Sequence, residues 1–366
     1  MDFQKLFRPG IVQTRPYSAG RPIEEVQREL GLADVIKLAS NENPEGPLPE
    51  VVEAICQAAR EVNRYPDAAA WTLTQALAAH LGVAPGAILL GNGSNEAFDM
   101  LVRALVSPGE NVVYGHPSFI VYKLATDVHF QTGRAVPLDA QDRHDLPAMA
   151  RAVDAATKLV VLCNPNNPTG TYNTDAELRD FLAALPPTVI VALDEAYYEY
   201  VTAPDYPQTI PLLAQHPNLV VLRTFSKIHS LAGLRLGYAV AHPDLIGELQ
   251  KTREPFNVNS LAQAAGLACL RRWDEVAARA GRNRRELESL AERMAALGLR
   301  VTPSQANFLL VRVPGQATEM TAALLRRGII VRPMAAFGLG DGAIRISVGL
   351  PAENSRLVQA LEEILA

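Results

Sequence analysis

Cysteine is scarce in this sequence. Its three copies, Cys56, Cys163 and Cys269, lie far apart and form no CxxC pair. That argues against a disulfide framework and against a thiolate metal site, and it fits a reducing compartment. The opening MDFQKLFRPGIVQTRPYSAG lacks an apolar core long enough for a signal peptide, and no later run could span a bilayer. A cytoplasmic enzyme with no membrane partner is therefore expected. No long basic run is present and the formal charge is −5, so nucleic acid is not an expected partner. There is no internal repeat, no low-complexity tract, and neither a GxGxxG nor a Walker motif. What remains is a chain of 366 residues, nearly half apolar, long enough for more than one domain with a sizeable core.

The first stretch is rich in Pro, Gly and Asn and reads as an extended arm. Beyond it, strand-like runs alternate with helical ones: AILLG, NVVYG, RAVPLD, KLVVLCNP, TVIVALDE, NLVVLRTFS and RLGYAVA. Several are apolar without alternation, as expected for strands buried on both faces of a mostly parallel sheet. Among the helices, SNEAFDMLVRALV carries Phe98, Leu101, Val102 and Leu105 on one face. After Pro255 the texture changes to two long helices, three alternating strands and a closing helix. The expected organisation is an arm (residues 1–40), a large α/β domain with a mostly parallel, seven-stranded type of sheet flanked by helices (41–255), and a smaller α+β domain (256–366). A site is expected where the carboxyl ends of the strands meet the smaller domain.

Four loops that follow predicted strands can carry chemistry. GNGSNE (Gly91 to Glu96) precedes an amphipathic helix, whose free N–H groups and dipole favour an anion; alone it also reads as an ordinary turn with Ser94 as N-cap. CNPNNPTG is a rigid turn that presents Asn167. LDEAYYEY ends an apolar strand on Asp194, a poor place for a carboxylate without a cationic partner, with Tyr197 three residues on. In TFSKIHSLAGLRLG, Lys227 at the rim of a buried site could lose its proton and form a Schiff base with an aldehyde. Ser226 and Arg235 could grip a phosphate beside it. Taken singly, each loop reads as ordinary structure. Jointly they describe one ligand with an anionic tail, a ring bearing a basic nitrogen and a phenolic oxygen, and an aldehyde. That ligand is pyridoxal 5′-phosphate.

In order and spacing these loops resemble the fold-type I pyridoxal-phosphate aminotransferases, over almost the whole chain. The resemblance is closest to the histidinol-phosphate aminotransferase family, on IKLASNENPEGPLP, NRYPD, PFNVNSLAQAA and GIIVRPM…AIRISVG. It implies that Lys227 carries the cofactor as a Schiff base and shuttles the proton, and that Asp194 keeps the ring nitrogen protonated. Asn167 and Tyr197 would bond the phenolic oxygen, and Phe119 would stack on the ring. Gly93, Ser94, Asn95, Ser226 and Arg235 would hold the phosphate, with Tyr65 reaching in from a second subunit of a homodimer. Arg345 would anchor the substrate anion, with Tyr17, Asn43 and Arg332 around it. The implied reaction is ping-pong transamination from an amine donor, histidinol phosphate, to a 2-oxo acid, 2-oxoglutarate. A broad aromatic aminotransferase, a threonine-phosphate decarboxylase and a non-catalytic sensor module are the alternatives. The sensor would need a basic DNA-binding segment, for which this chain leaves no room. Two features depart from the family pattern: Phe119 stands where many relatives have Tyr, and IHS follows Lys227. His229 in that insert reads as a satisfied loop histidine.

Overall fold

The computed structural model describes residues 1–14, 16, 17, 20–129 and 132–366. Its largest sheet is built from β1 (Ile88–Gly91), β2 (Asn111–His116), β3 (Thr132–Pro137), β4 (Thr157–Cys163), β5 (Ile190–Asp194), β6 (Leu219–Thr224) and β7 (Gly237–Val240). Across the sheet the order is β1-β7-β6-β5-β4-β2-β3. Six strands run in one direction, and β7 runs against both of its neighbours. These are the seven runs expected from the sequence.

The lack of alternation has a plain cause. Leu159, Val161 and Cys163 of β4 join the core under the helix Ser94–Leu105, whereas Val160 and Leu162 join the core under the helices Leu146–Ala152 and Asp175–Ala184. Both faces are covered, so every position must be apolar. Each such Val or Leu contributes about 1.5–3 kcal/mol by leaving water. The polar exceptions collect at the strand ends. Asp194 closes β5 and pairs in register with Cys163, which closes β4. Thr224 closes β6 opposite Gly237, the first residue of β7.

A second, antiparallel sheet orders Arg332–Pro333, Ala343–Ser347, Phe308–Arg312 and Arg300–Thr302. It packs against the helices Ala317–Arg326 and Pro351–Leu365 and the far half of the helix Trp273–Ala296, through Leu287, Leu290 and Met294. Three expectations change here. The arm is not extended throughout: Ile23–Leu30 is a helix with Glu24 and Glu25 in its first turn and Gly31 in a left-handed cap. Just beyond it, Ile36–Lys37 pairs in parallel with Ile329–Ile330, and Leu38 sits in the smaller core. Residues 256–366 are not all one body either. The helix Ser260–Arg271 packs on the helices Pro49–Ala58 and Trp71–Leu81, burying Ala262, Ala265 and Cys269 in the larger body. Its small residues permit that close approach. Among the described residues no helix is long and apolar enough to cross a membrane.

Candidate active site

A cavity of about 250 Å³ opens at the carboxyl edge of the large sheet, where that edge meets the residue 39–42 strip and the smaller sheet. Of the expected residues, Tyr17, Ser94, Asn95, Phe119, Asn167, Asp194, Tyr197, Ser226, Lys227, Arg235, Arg332 and Arg345 line it. The strand ends explain most of this convergence. A parallel strand leaves its last residues and its outgoing loop on the same edge. The reversed strand β7 brings Arg235, just before its start, to that edge as well.

Lys227 lies three residues past β6, half-buried, with Nζ 3.4 Å from the Ser40 carbonyl and 5.6 Å from the centre of the Tyr197 ring. Burial, followed by the charge of Arg345, pushes its ammonium down to about 8. Asp194 is buried, and its Oδ2 accepts a 2.6 Å bond from the Tyr122 hydroxyl while Oδ1 accepts from the Ala196 amide. Burial raises its pKa, and no described cation lies within ion-pair distance. A carboxylate in that position calls for a positive partner in the cavity.

At the far end, the helix Ser94–Leu105 begins at the wall with no side-chain cap. Ser94 is its first residue and Gly93 its N-cap, so the N-cap reading of Ser94 does not hold. Gly93 sits just behind the wall at φ +76°, and a Cβ there would strike the Arg235 guanidinium. At Gly237 a Cβ would collide with the Ser94 amide nitrogen. Two glycines thus let the reversed strand and its arginine close against a helix start. Arg235 Nη1 donates to the Ala232 carbonyl and, at 3.3 Å, to the Ser226 hydroxyl, and no described carboxylate pairs with it. Free helix-start amides, a hydroxyl and an unneutralised guanidinium make an anion cradle. The half-buried amine, the uncompensated carboxylate and this cradle are the donor set that pyridoxal phosphate requires.

Opposite them stands Arg345, from the smaller sheet. It is buried, donating from Nη1 to Asn167 Oδ1 at 2.6 Å and from Nη2 to the Ala39 carbonyl at 2.7 Å. Its Nε has no hydrogen-bond partner among the described residues, and burial lowers its pKa. A guanidinium in this state is a receptor for an anion. Arg332 lies beside it on the wall, over the Phe337 ring.

One residue expected at this cavity lies elsewhere. Asn43 does not line the cavity; its Nδ2 donates to the Ile228 carbonyl at 2.9 Å. Asn41 enters the site instead, because its backbone takes a left-handed turn (φ +53°) that Asn tolerates, and its Nδ2 donates to the Tyr197 hydroxyl at 2.9 Å. Tyr65 is 82% exposed and stacks on Phe256 at 4.7 Å, outside this cavity. His229 is not a satisfied loop residue. It is buried between Phe225 and Trp273, its Nδ1 lacks a partner among the described residues, and burial holds its pKa at about 3, so the ring is neutral and packed. Tyr122 went unforeseen. The PSFIVY stretch places it three residues after Phe119, a spacing that reads as helix packing. The hydroxyl on Asp194 and the edge contact with Phe119 at 5.8 Å emerge only in three dimensions.

A sheet whose strand ends supply an amine, a carboxylate and an anion cradle, faced by a second body that supplies an arginine, defines a class. The chain belongs to the class I and II aminotransferases, pyridoxal-phosphate enzymes of fold type I: residues 33–361 match the family described as "Aminotransferase class I and II". Within that family its relatives share a more particular name. The chain is 47% identical, over 98% of its length and 99% of the relative's, to the "Histidinol-phosphate aminotransferase" of Anaeromyxobacter sp. (strain Fw109-5). It is 45% identical, over 98% and 93% respectively, to that of Moorella thermoacetica (strain ATCC 39073 / JCM 9320). Among solved structures, histidinol-phosphate aminotransferase from Sinorhizobium meliloti in complex with pyridoxal-5′-phosphate superposes with a TM-score of 0.90 at 31% identity, covering 98% of this chain and 97% of that one.

Proposed function

We propose that this aminotransferase moves the amino group of histidinol phosphate to 2-oxoglutarate. The observation that carries the reading is Arg345, a buried guanidinium on the cavity wall whose Nε is unpartnered and which has no carboxylate beside it among the described residues. With Arg332 it would grip the donor's phosphate in one half-reaction and a carboxylate of glutamate or 2-oxoglutarate in the other. A planar fork of donors suits both anions. Tyr17 would border the same end of the cavity.

The remaining roles follow from the chemistry of each side chain. Ser94, Asn95, Ser226 and Arg235, with Gly93 behind them, would hold the cofactor's phosphate. Phe119 would cover one ring face, Asn167 and Tyr197 would hold the phenolic oxygen, and Asp194 would keep a proton on the ring nitrogen. When bound, pyridoxal phosphate supplies an electron sink for the charge left when a Cα–H bond breaks. Lys227, its ammonium depressed to about 8, would tether the cofactor at rest, then take the Cα proton and hand it back as general base and acid. The body built on residues 41–255, with the helix Ser260–Arg271, would carry the cofactor, and the rest of 256–366 would bring the substrate arginines.

The test is a panel of half-reactions on the purified, cofactor-loaded enzyme. Histidinol phosphate should exceed phenylalanine in rate over KM by about 10²-fold, the size expected from charge-assisted bonds to the phosphate. Equal or faster turnover of phenylalanine would replace this reading with that of a broad aromatic aminotransferase.

A cytoplasmic homodimer belongs to the same proposal. Val52, Val62, Tyr65, Trp71 and Phe256 are exposed large apolar side chains, which fits a surface that a second copy covers. Tyr65 would then serve the partner's cavity. Three free cysteines fit a reducing compartment. Sedimentation of a fully active monomer would overturn the dimer.

A further inference from the structure

The turn that follows Lys227 is held from outside the cavity. Ser230 donates its amide to the Lys227 carbonyl at 3.0 Å and has a left-handed backbone, φ +60°, which a serine adopts only when its surroundings compel it. Its hydroxyl donates to the Glu45 carbonyl at 2.8 Å. The compelling group is Arg279, on the long helix Trp273–Ala296 and only 4% exposed. Arg279 Nη1 donates to the Ile228 carbonyl at 3.1 Å and to the Ser230 hydroxyl at 2.8 Å, and Nη2 donates to the Gly46 carbonyl at 2.6 Å. Its Nε lies 3.5 Å from a Glu45 carboxylate oxygen that Arg282 also holds at 2.8 Å. One guanidinium therefore ties the Lys227 turn to the strip that carries Ser40 and Asn41, and both to the helix. Farther along, that helix contributes Leu287, Leu290 and Met294 to the smaller core. Arg279 does not line the cavity.

We propose that Arg279 is a positioning residue for Lys227. Its fork clamps the Ile228–Ser230 turn, so that the lysine amine is presented at a fixed place relative to Asp194 and Arg345. The clamp also joins the base to the helix shared with the smaller body, so the two bodies present the base and the substrate arginine together. This rests on the reading of Lys227 as the proton-transfer group. It gives the IHS insert a role: Ile228 supplies the carbonyl that is gripped and Ser230 the hydroxyl.

The test uses Arg279→Met, Arg279→Lys and Ser230→Ala in the full chain. Amide hydrogen exchange over residues 225–236 is measured before cofactor loading, and the half-reaction with Cα-deuterated donor afterwards. Arg279→Met should speed exchange of the turn by about 10-fold or more. It should also lower the rate by about 10- to 100-fold, because small misplacement of a catalytic group costs that much. The deuterium isotope effect should rise, while donor KM and cofactor content stay within about 2-fold. Arg279→Lys should recover part of the loss, and Ser230→Ala should shift the same readouts by less. If the first variant does not fold, the other two decide by the same measurements. Unchanged exchange with an unchanged isotope effect would make Arg279 a packing contact only and end the proposal. Lys227→Ala is the control for the underlying reading: if that variant still transaminates, the assignment of the base has failed, whatever Arg279 does.

Discussion

The two sides of the cavity are made differently. On the sheet side, Asp194 closes a strand, and Asn95, Asn167, Ser226 and Lys227 each follow the end of one by a few residues. The sheet's register fixes their spacing, and a single body bears them. On the other side, Tyr17, Gly20, Ser40, Arg332, Phe337 and Arg345 come from the chain's two ends, on short strands and irregular backbone. The first side is built to hold one unvarying ligand. The second is assembled from separate pieces that meet only after folding, so substrate choice can change without disturbing the sheet.

Substitutions should divide along the same line. Lys227→Ala strikes the sheet side and should reduce the half-reaction by at least about 10³-fold, measured by single-turnover absorbance, since it removes the proposed tether, base and acid at once. A retained rate would erase the distinction altogether. Arg345→Ala strikes the other side. It should raise KM for both the phosphate donor and the oxo-acid by about 10²-fold, leaving the absorbance of the bound cofactor unchanged. Loss of cofactor in that variant would mean that the two sides are not separable. A smaller effect concerns pH. In cofactor-free enzyme, burial and the Arg345 charge lower Lys227 from 10.5 to about 8, so its neutral amine accumulates as pH rises through 8. Acylation of Lys227, followed by peptide mass spectrometry, should climb through that range, and Arg345→Ala should move the midpoint upward. The smallest effect is expected for Asn43→Ala. Its side chain meets the Ile228 carbonyl, to which Arg279 also donates, so donor KM should change by less than about 3-fold.

The same division governs what could be read in advance. The seven strands were legible because two-sided burial forces unbroken apolar runs, and their outgoing loops were legible because such runs end abruptly in polar residues. Lys227, Asp194 and Arg235 stood out as candidates only when those loops were read together, since each loop alone reads as ordinary structure. Asn41 could not be told from Asn43: the two flank one glutamate, and only the left-handed kink at Asn41 decides which enters the cavity. Tyr122 was hidden for the opposite reason, because a buried aromatic at helical spacing looks like core, and most of its surface is core. The packing of the helix Ser260–Arg271 on the larger body could not be read, since its small residues suit any close packing and the sequence does not say against what.

The reversed strand β7 has one more consequence. Because it pairs with β6 from Thr224 opposite Gly237, the excursion between them, residues 225–236, leaves and re-enters the sheet at adjacent points. Lys227 lies near its exit and Arg235 near its return. The loop acts as a calliper whose jaws are set by two neighbouring rungs of a ladder. A change of length inside it would shift the spacing between Lys227 and Arg235 directly. Insertions elsewhere on this edge can reshape what the cavity admits, whereas this loop admits changes of residue far more readily than changes of length.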